Sequence, residues 1–326
     1  MDVLSDAIAA MRTGRPHANR TLLRAPWGIR FRPQPAAGFH VVLQGSGWLV
    51  PTRGEPIALG VGDVAFLPRE LGHGIADTPS TRLVEARPEY EDASSPVGQI
   101  RRDGPGPTTE MLCGAYRLDQ SRAHPLLAEL PEVIHIPARI GRHPSLRGAI
   151  DLLGRELDAA PGPGTDAATS ALLDVLLLYI VRAWYDEQPA HATTGWGAAL
   201  RDPAVAVALR AIHRLPAQPW TVQSLAAETG LSRAAFALRF TTTVGSPPLT
   251  YVTWWRMTMA ARLLRDSDLP LRAIAERTGY ATEFAFAKAF KREFGTAPGQ
   301  YRNRPHGNET TPTSAGDTTA SPATGT

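Results

Sequence analysis

The sequence predicts an α+β protein of two domains: a β-barrel or double-sheet jelly roll, then a helical segment, then an all-α domain. Three observations predict it. Short apolar or alternating runs cut by Gly, Pro and Asp turns fill residues 26–117. From residue 144 the apolar residues recur at helical spacing, and residues 222–302 repeat the order helix, glycine turn, helix. With 326 residues, 43% of them hydrophobic and 20% charged, the chain has enough apolar surface for two cores.

Phe39-His40-Val41-Val42-Leu43, Gly47-Trp48-Leu49-Val50 and Val64-Ala65-Phe66-Leu67 are the clearest strand candidates. Several short strands at this spacing fold into a barrel or two facing sheets, which we place within residues 1–125. Next, Leu146, Ile150, Leu153 and Leu157 lie on one face of a helix that ends before Pro161-Gly162-Pro163-Gly164. A second helix over residues 167–185 is apolar nearly all round (Leu172, Leu173, Leu176, Leu177, Ile180, Val181, Trp184), so it must be buried within the chain or against a second copy. Residues 126–195 therefore read as a helical dimerisation and linker segment, with the linker at 189–197. Residues 305–326, rich in Thr, Ser, Pro, Ala and Gly, lack the apolar surface to fold and read as a disordered tail.

The net charge of +3 hides an asymmetry. Residues 1–200 hold 19 Arg against 22 Asp and Glu, whereas residues 201–304 hold 15 Lys and Arg against 7 Asp and Glu. A segment of +8 on a mildly acidic body fits a polyanion-binding module, although a solvated basic surface gives the same balance. The first residues have no basic flank followed by an apolar core, and the longest apolar run, residues 175–181, is too short to span a bilayer. The chain is therefore expected in the cytoplasm, without a membrane partner. Cys113 is the only cysteine, which excludes an intrachain disulfide and a cysteine metal cluster within one chain.

Within residues 200–304 the repeat is explicit. Leu225-Ala226 and Gly230 match Ile274-Ala275 and Gly279. A cap candidate then follows, Ser232 or Thr282, and a pair of phenylalanines four apart, Phe236 and Phe240 or Phe286 and Phe290. Residues 248–264, with Tyr251, Val252, Trp255, Met259 and Leu263, make a helix that fixes the separation of the two units. This order, closed by Phe294-Gly295, Pro298 and Tyr301, resembles the DNA-binding domain of the AraC/XylS family of transcription regulators over residues 203–302.

The resemblance implies that the second helix of each unit enters the major groove of double-stranded promoter DNA. In the second unit Thr282 caps the helix, and Glu283, Phe284, Ala287, Lys288 and Lys291 face outward. An aromatic at 284 lies against a thymine methyl while Lys288 reaches a guanine or a phosphate, and Glu283 accepts from a cytosine amine or complements the helix dipole. Packing of Phe284 against the connecting helix or the sensor domain is the other reading. The equivalent face of the first unit, after the cap Ser232, is Arg233, Ala234, Ala237 and Leu238, with Arg239 at its edge. It offers little hydrogen bonding, so the second unit is expected to carry more of the discrimination, with the arginines on phosphates.

In the N-terminal half, Gly62-Asp63, Pro68 and His73 are similar to the second signature of the cupin barrel, and the hairpin led by Phe39 and His40 resembles the first. Cupins joined to an AraC-type domain form a subgroup of regulators, which Pro26-Trp27-Gly28, Gly47-Trp48-Leu49 and Leu112-Cys113-Gly114 also resemble. Metal-dependent cupins bring three His and a Glu to one ion. Here Val42 stands two positions after His40, leaving His40 and His73, so no metal and no cofactor are expected.

His40, Trp48, His73 and Cys113 are the candidate sensor residues. Cys113 is either a small buried hydrophobe or, if exposed with a lowered pKa, a redox sensor. The expected protein is a homodimeric, non-enzymatic transcription regulator responding to a small-molecule or redox effector, with RNA polymerase as a partner if it activates. A metal-dependent cupin enzyme with a DNA-binding appendage and a protein-interaction adaptor are the alternatives.

Overall fold

A computed structural model describes residues 2–303 apart from 35, 70, 87–96, 119–123, 161 and 190–193. The tail at 305–326 lies outside the described residues. The N-terminal half contains α1 (Val3–Met11), β1 (His17–Arg24), β2 (Gly28–Phe31), β3 (Ala36–Gln44), β4 (Gly47–Pro51), β5 (Ile57–Leu59), β6 (Val64–Leu67), β7 (His73–Ala76), β8 (Val84–Glu85), β9 (Val97–Arg102) and β10 (Thr108–Arg117). It continues through α2 (Pro125–Ala128), β11 (Ile134–Ile136), α3 (Pro144–Asp158) and α4 (Thr165–Glu187). Helix α1, capped by the Asp2 carboxylate on the Ser5 N–H, precedes the first strand that the sequence marks.

The strands form two sheets, ordered β11-β6-β3-β10-β1-β9 and β5-β4-β7-β2-β8. Neither sheet closes on itself, so the double sheet, and not the closed barrel, is the form the strands take. Trp27, Ile29, Val42, Leu49, Ile75 and Met111 fill the space between the sheets. The opposite face of the larger sheet, with Ala37, Phe39, Val41, Phe66, Leu112 and Tyr116, joins the helices in a second core. Strand β3 is therefore buried at every position from Ala36 to Val42, and its apolar run is continuous because both faces are covered.

Helix α3 buries the four predicted residues Leu146, Ile150, Leu153 and Leu157. Helix α4 packs on α3 with Leu173, Leu176, Leu177, Ile180 and Val181, and the Tyr116 hydroxyl donates to the Leu173 carbonyl at 2.9 Å, fastening β10 to α4. Among the described residues α4 is the one helix long and apolar enough to cross a membrane by length and composition. Here those apolar positions serve the core. The segment read as helical also supplies β11, which pairs with β6 and extends the sheet.

The C-terminal half is all helical: α5 (Trp196–Arg201), α6 (Pro203–Arg214), α7 (Val222–Thr229), α8 (Arg233–Val244), α9 (Pro248–Asp266), α10 (Leu271–Arg277), α11 (Glu283–Phe294) and α12 (Pro298–Arg302). Helix α9 divides its side chains between two cores. Tyr251, Val252 and Trp255 pack with the first helix-turn-helix unit and the N-terminal half. Met257, Ala260, Ala261 and Leu264 pack with Ile274, Ala275, Phe286, Phe290 and Tyr301 of the second unit. The connecting helix is thus buried nearly all round, more widely than the stripe predicted for it.

Candidate DNA-reading surface and the buried groups behind it

Helices α8 and α11 are built alike. Each is twelve residues long, begins at a hydroxyl cap and ends at a glycine with positive φ, Gly245 (80°) or Gly295 (70°). Ser232 accepts from the Ala235 N–H at 3.3 Å and Thr282 from the Ala285 N–H at 3.1 Å. Phe236 and Phe240, and likewise Phe286 and Phe290, are fully buried. From turn glycine to cap, the loop before α11 (Gly279 to Thr282) is one residue longer than the loop before α8 (Gly230 to Ser232). Gly279 there has φ +78°, and a Cβ on it would meet the Arg256 guanidinium at 2.8 Å and the Ala217 carbonyl at 3.0 Å, so only glycine fits without displacement.

The burial of these four phenylalanines sets the outward faces. Arg233, Ala234, Leu238 and Arg239 are exposed on α8, with Ala237 half-buried; Glu283, Phe284, Lys288 and Lys291 are exposed on α11, with Ala287 half-buried. Phe284 is 80% exposed and packs on neither the connecting helix nor the sensor half. Lys288 and Lys291 are the two lysines of the whole chain, and α11 holds both. Arg239 behaves differently from its neighbours: its Nε donates to Asp202 at 2.5 Å, and Asp202 also caps α6 through the Ala204 and Val205 N–H groups at 3.0 Å. Burial pushes the Asp202 carboxyl up, but these N–H groups and the guanidinium outweigh it and hold it below the usual range. Arg239 thereby fixes α8 against the start of α6.

Of the four candidate sensor residues, three meet between the sheets. Cys113 lies directly opposite His40 in the β3/β10 register, and His40 Nδ1 is 3.0 Å from its Sγ. His40 Nε2 crosses to His73 Nε2 on the other sheet at 2.7 Å, and Phe31 stacks on the His73 ring at 4.8 Å. Trp48 follows the pleat to the face opposite Leu49, whose side chain lies in the inter-sheet core, and so does not join them.

Burial lowers the His40 pKa to about 4, and burial with the neighbouring His40 takes His73 well below its ordinary value. Burial also pushes the Cys113 thiol up to about 12, so the group is a neutral thiol, 5% exposed, without the lowered pKa a reactive thiolate needs. Among the described residues no group of three or more His, Cys, Asp or Glu is arranged to hold a metal ion.

A third constellation went unseen in the sequence. At the junction of the two halves α1 packs on α6 and α9, and four polar groups from distant segments form a chain. His124 Nδ1 accepts from the Leu126 N–H at 3.1 Å, which puts its proton on Nε2. That N–H donates to Tyr251 Oη (3.1 Å), the Tyr251 hydroxyl donates to His213 Nε2 (2.7 Å), and His213 Nδ1–H donates to the Asp6 carboxylate (3.3 Å). Every proton has one place, and both imidazoles are neutral. Burial lowers both histidines, with His213 adding to the effect on His124 and Asp6 opposing it on His213. Trp255 stacks on His213 at 3.7 Å. Nothing in the spacing of Asp6, His124, His213 and Tyr251 announces this; only the tyrosine stood among the family-like residues.

Comparison with known proteins agrees with this layout. The family profile described as "Cupin" matches residues 2–186, and that described as "Helix-turn-helix domain" matches residues 225–304. A putative AraC-like transcription regulator of Streptomyces lividans is 35% identical over 94% of this chain and 99% of its own length. The HTH-type transcriptional regulator AlkR of Acinetobacter baylyi is 29% identical over 93% of this chain and 100% of its own. Among solved structures, the DNA-binding domain of AdpA in complex with a target DNA is 36% identical, covering 31% of this chain and 90% of that one, with a TM-score of 0.29. With its cupin half, its two helix-turn-helix units and these full-length relatives, the chain belongs to the AraC-like family of transcription regulators.

Proposed function

We propose that the protein regulates transcription by placing α8 and α11 in successive major-groove segments of promoter DNA, with α11 carrying the hydrogen-bonding discrimination, while the β-rich half receives a signal. One observation carries the reading: two reading helices of matched cap, core and length present their outward faces on a segment of charge +8. On α11, Lys288 and Glu283 are the groups able to hydrogen-bond to base edges, and Phe284 adds an apolar contact. Arg233 and Lys291 are assigned to phosphates, and Arg239 to holding α8 in place through Asp202. Ser232 and Thr282 orient the two helices, and Ala234, Ala237 and Ala287 allow close approach to the groove.

A homodimer is supported by the apolar surface α4 still shows: Val175 is exposed, and Leu172, Leu178 and Tyr179 pack against the core but stay only half-buried. The signal is assigned to a small molecule acting on the sheets in preference to an oxidant, because Cys113 is buried as a neutral thiol. RNA polymerase is the further partner if regulation is positive, and a non-enzymatic role is the reading we favour, the relatives being described as transcription regulators.

The deciding experiment titrates full-length protein onto a labelled duplex from upstream of its own gene at several salt concentrations, against unrelated DNA. Tight binding that outcompetes the unrelated DNA and weakens with salt is expected, the logarithmic slope being about −0.9 per phosphate neutralised. Binding that is weak and indifferent to sequence on genomic fragments as well would overturn the reading.

A further inference from the structure

The first unit, poor in hydrogen-bonding groups, need not be a mere clamp. We propose that Leu238 and Phe284 each read the 5-methyl group of a thymine, so that the selected DNA carries a thymine at a fixed place in each of two major-groove segments about one helical turn apart. This rests on the reading of α8 and α11 as the groove-entering helices.

Leu238 and Phe284 are the two most exposed large hydrophobic residues in the helical half, at 71% and 80%, against 44% for Leu215 and 41% for Leu249. Neither belongs to any hydrophobic core, so the fold gains nothing from them. Their positions are not equivalent in the repeat. At an offset of fifty residues Leu238 corresponds to Lys288, and Phe284 to Ala234. Each reading helix therefore carries one large apolar projection, on a different turn, and an exposed cation: Lys288 on α11 lies one turn from Phe284 on the same face, and Arg233 stands at the start of α8, five residues before Leu238.

That combination selects the occupant. An apolar protein groove gains nothing from the cations, whereas DNA offers phosphates for them and, among the base edges of the major groove, one apolar group, the thymine methyl. Set against a G·C edge, Leu238 would strip water from acceptors and donors without replacing their hydrogen bonds. The preference for thymine thus comes both from the contact made and from the penalty elsewhere. Helix α9, nineteen residues and about 28 Å long, joins the two units, a span of the same order as the about 34 Å between successive major-groove segments on one face of DNA.

The test removes the methyl and nothing else. Full-length protein selects a duplex from a random pool, and the selected duplex is resynthesised with dU replacing each dT in turn. Two thymine positions are expected at which uracil weakens binding about fourfold, the worth of one buried methyl-sized group. Leu238→Ala should abolish the penalty at one position and leave the other, and Phe284→Ala the reverse. Both residues are exposed, so both variants should keep the wild-type Tm. Equal affinity for thymine and uracil duplexes, or uracil penalties that persist in both variants, would overturn the proposal while leaving the DNA-reading function intact. A pool that yields no enriched duplex would instead overturn the reading on which it rests.

Discussion

At the scale of single residues, the chemistry of each site follows from what burial does to one group. Cys113 is a thiol because it sits between two sheets beside His40, and a neutral thiol does not attack disulfides or oxidants. The native protein should therefore leave a soluble disulfide reagent unreacted at pH 8, with labelling appearing only as fast as the chain unfolds; a full equivalent of rapid labelling in the native state would contradict the buried geometry. On the surface the reverse holds. The chain's two lysines, both on α11, make amine acetylation a direct report on the reading face. Bound promoter DNA should protect Lys288 and Lys291 together in a peptide map. Lys291→Ala should weaken binding evenly across sequences and reduce the salt slope by about one, whereas Phe284→Ala should change base preference. Equal losses on all sequences for both variants would count against base reading by α11.

At the scale of elements, α8 and α11 show how a repeat legible in sequence becomes a pair of matched helices. The caps, the phenylalanines four apart and the terminal glycines were all visible as residue types at spacing, because helix ends and helix faces are local properties. Thr282→Ala should cost about 1 kcal/mol of stability by leaving the Ala285 N–H without its side-chain acceptor, measured by denaturant unfolding. Gly279→Ala should cost more than that cap, since the new methyl meets the Arg256 side chain and a backbone carbonyl at a positive φ. The strand elements were legible as runs, with less precision. Helix α1 and strand β1 were not predicted, although the Asp2 cap, the helical spacing of Val3, Leu4, Ala7, Ile8 and Met11, and the break at Gly14 and Pro16 mark them; β11 was hidden in a segment whose helical neighbours dominate its pattern.

At the scale of the whole molecule, the junction Asp6, His213, Tyr251, His124 ties the sensor half to the helix α9 that spaces the two reading units. Tyr251→Phe removes the one hydroxyl that both accepts from His124 and donates to His213, leaving two buried polar atoms without partners. A loss of about 1–3 kcal/mol is expected, with faster amide exchange in α1 and α6 than in α11.

Acid should act on the same places. His40, His73, His124 and His213 are all held below their ordinary pKa by burial, so the unfolded chain binds protons that the folded chain refuses. Stability is then complete above about pH 6.5 and falls as the pH drops toward about 4, the value reached by His40. Tm measured across this range should decline on the acid side, and less steeply in His40→Gln.

The sequence by itself determined the two-domain order, the strand and helix character of each half, the doubled helix-turn-helix and the outward faces of its second helices. These depend on composition and on periods of two and of 3.6 residues, which local geometry imposes. The tertiary structure alone decided which distant polar groups meet: His40 with Cys113 across a strand pair and His73 across two sheets, Arg239 with Asp202, and four residues from Asp6 to Tyr251 in one hydrogen-bonded chain. It also decided that Phe284 and Leu238 stay in solvent while Trp48 leaves the histidine cluster. A buried polar group must find its partner wherever the fold brings one, and that partner's distance along the chain leaves no trace in local spacing.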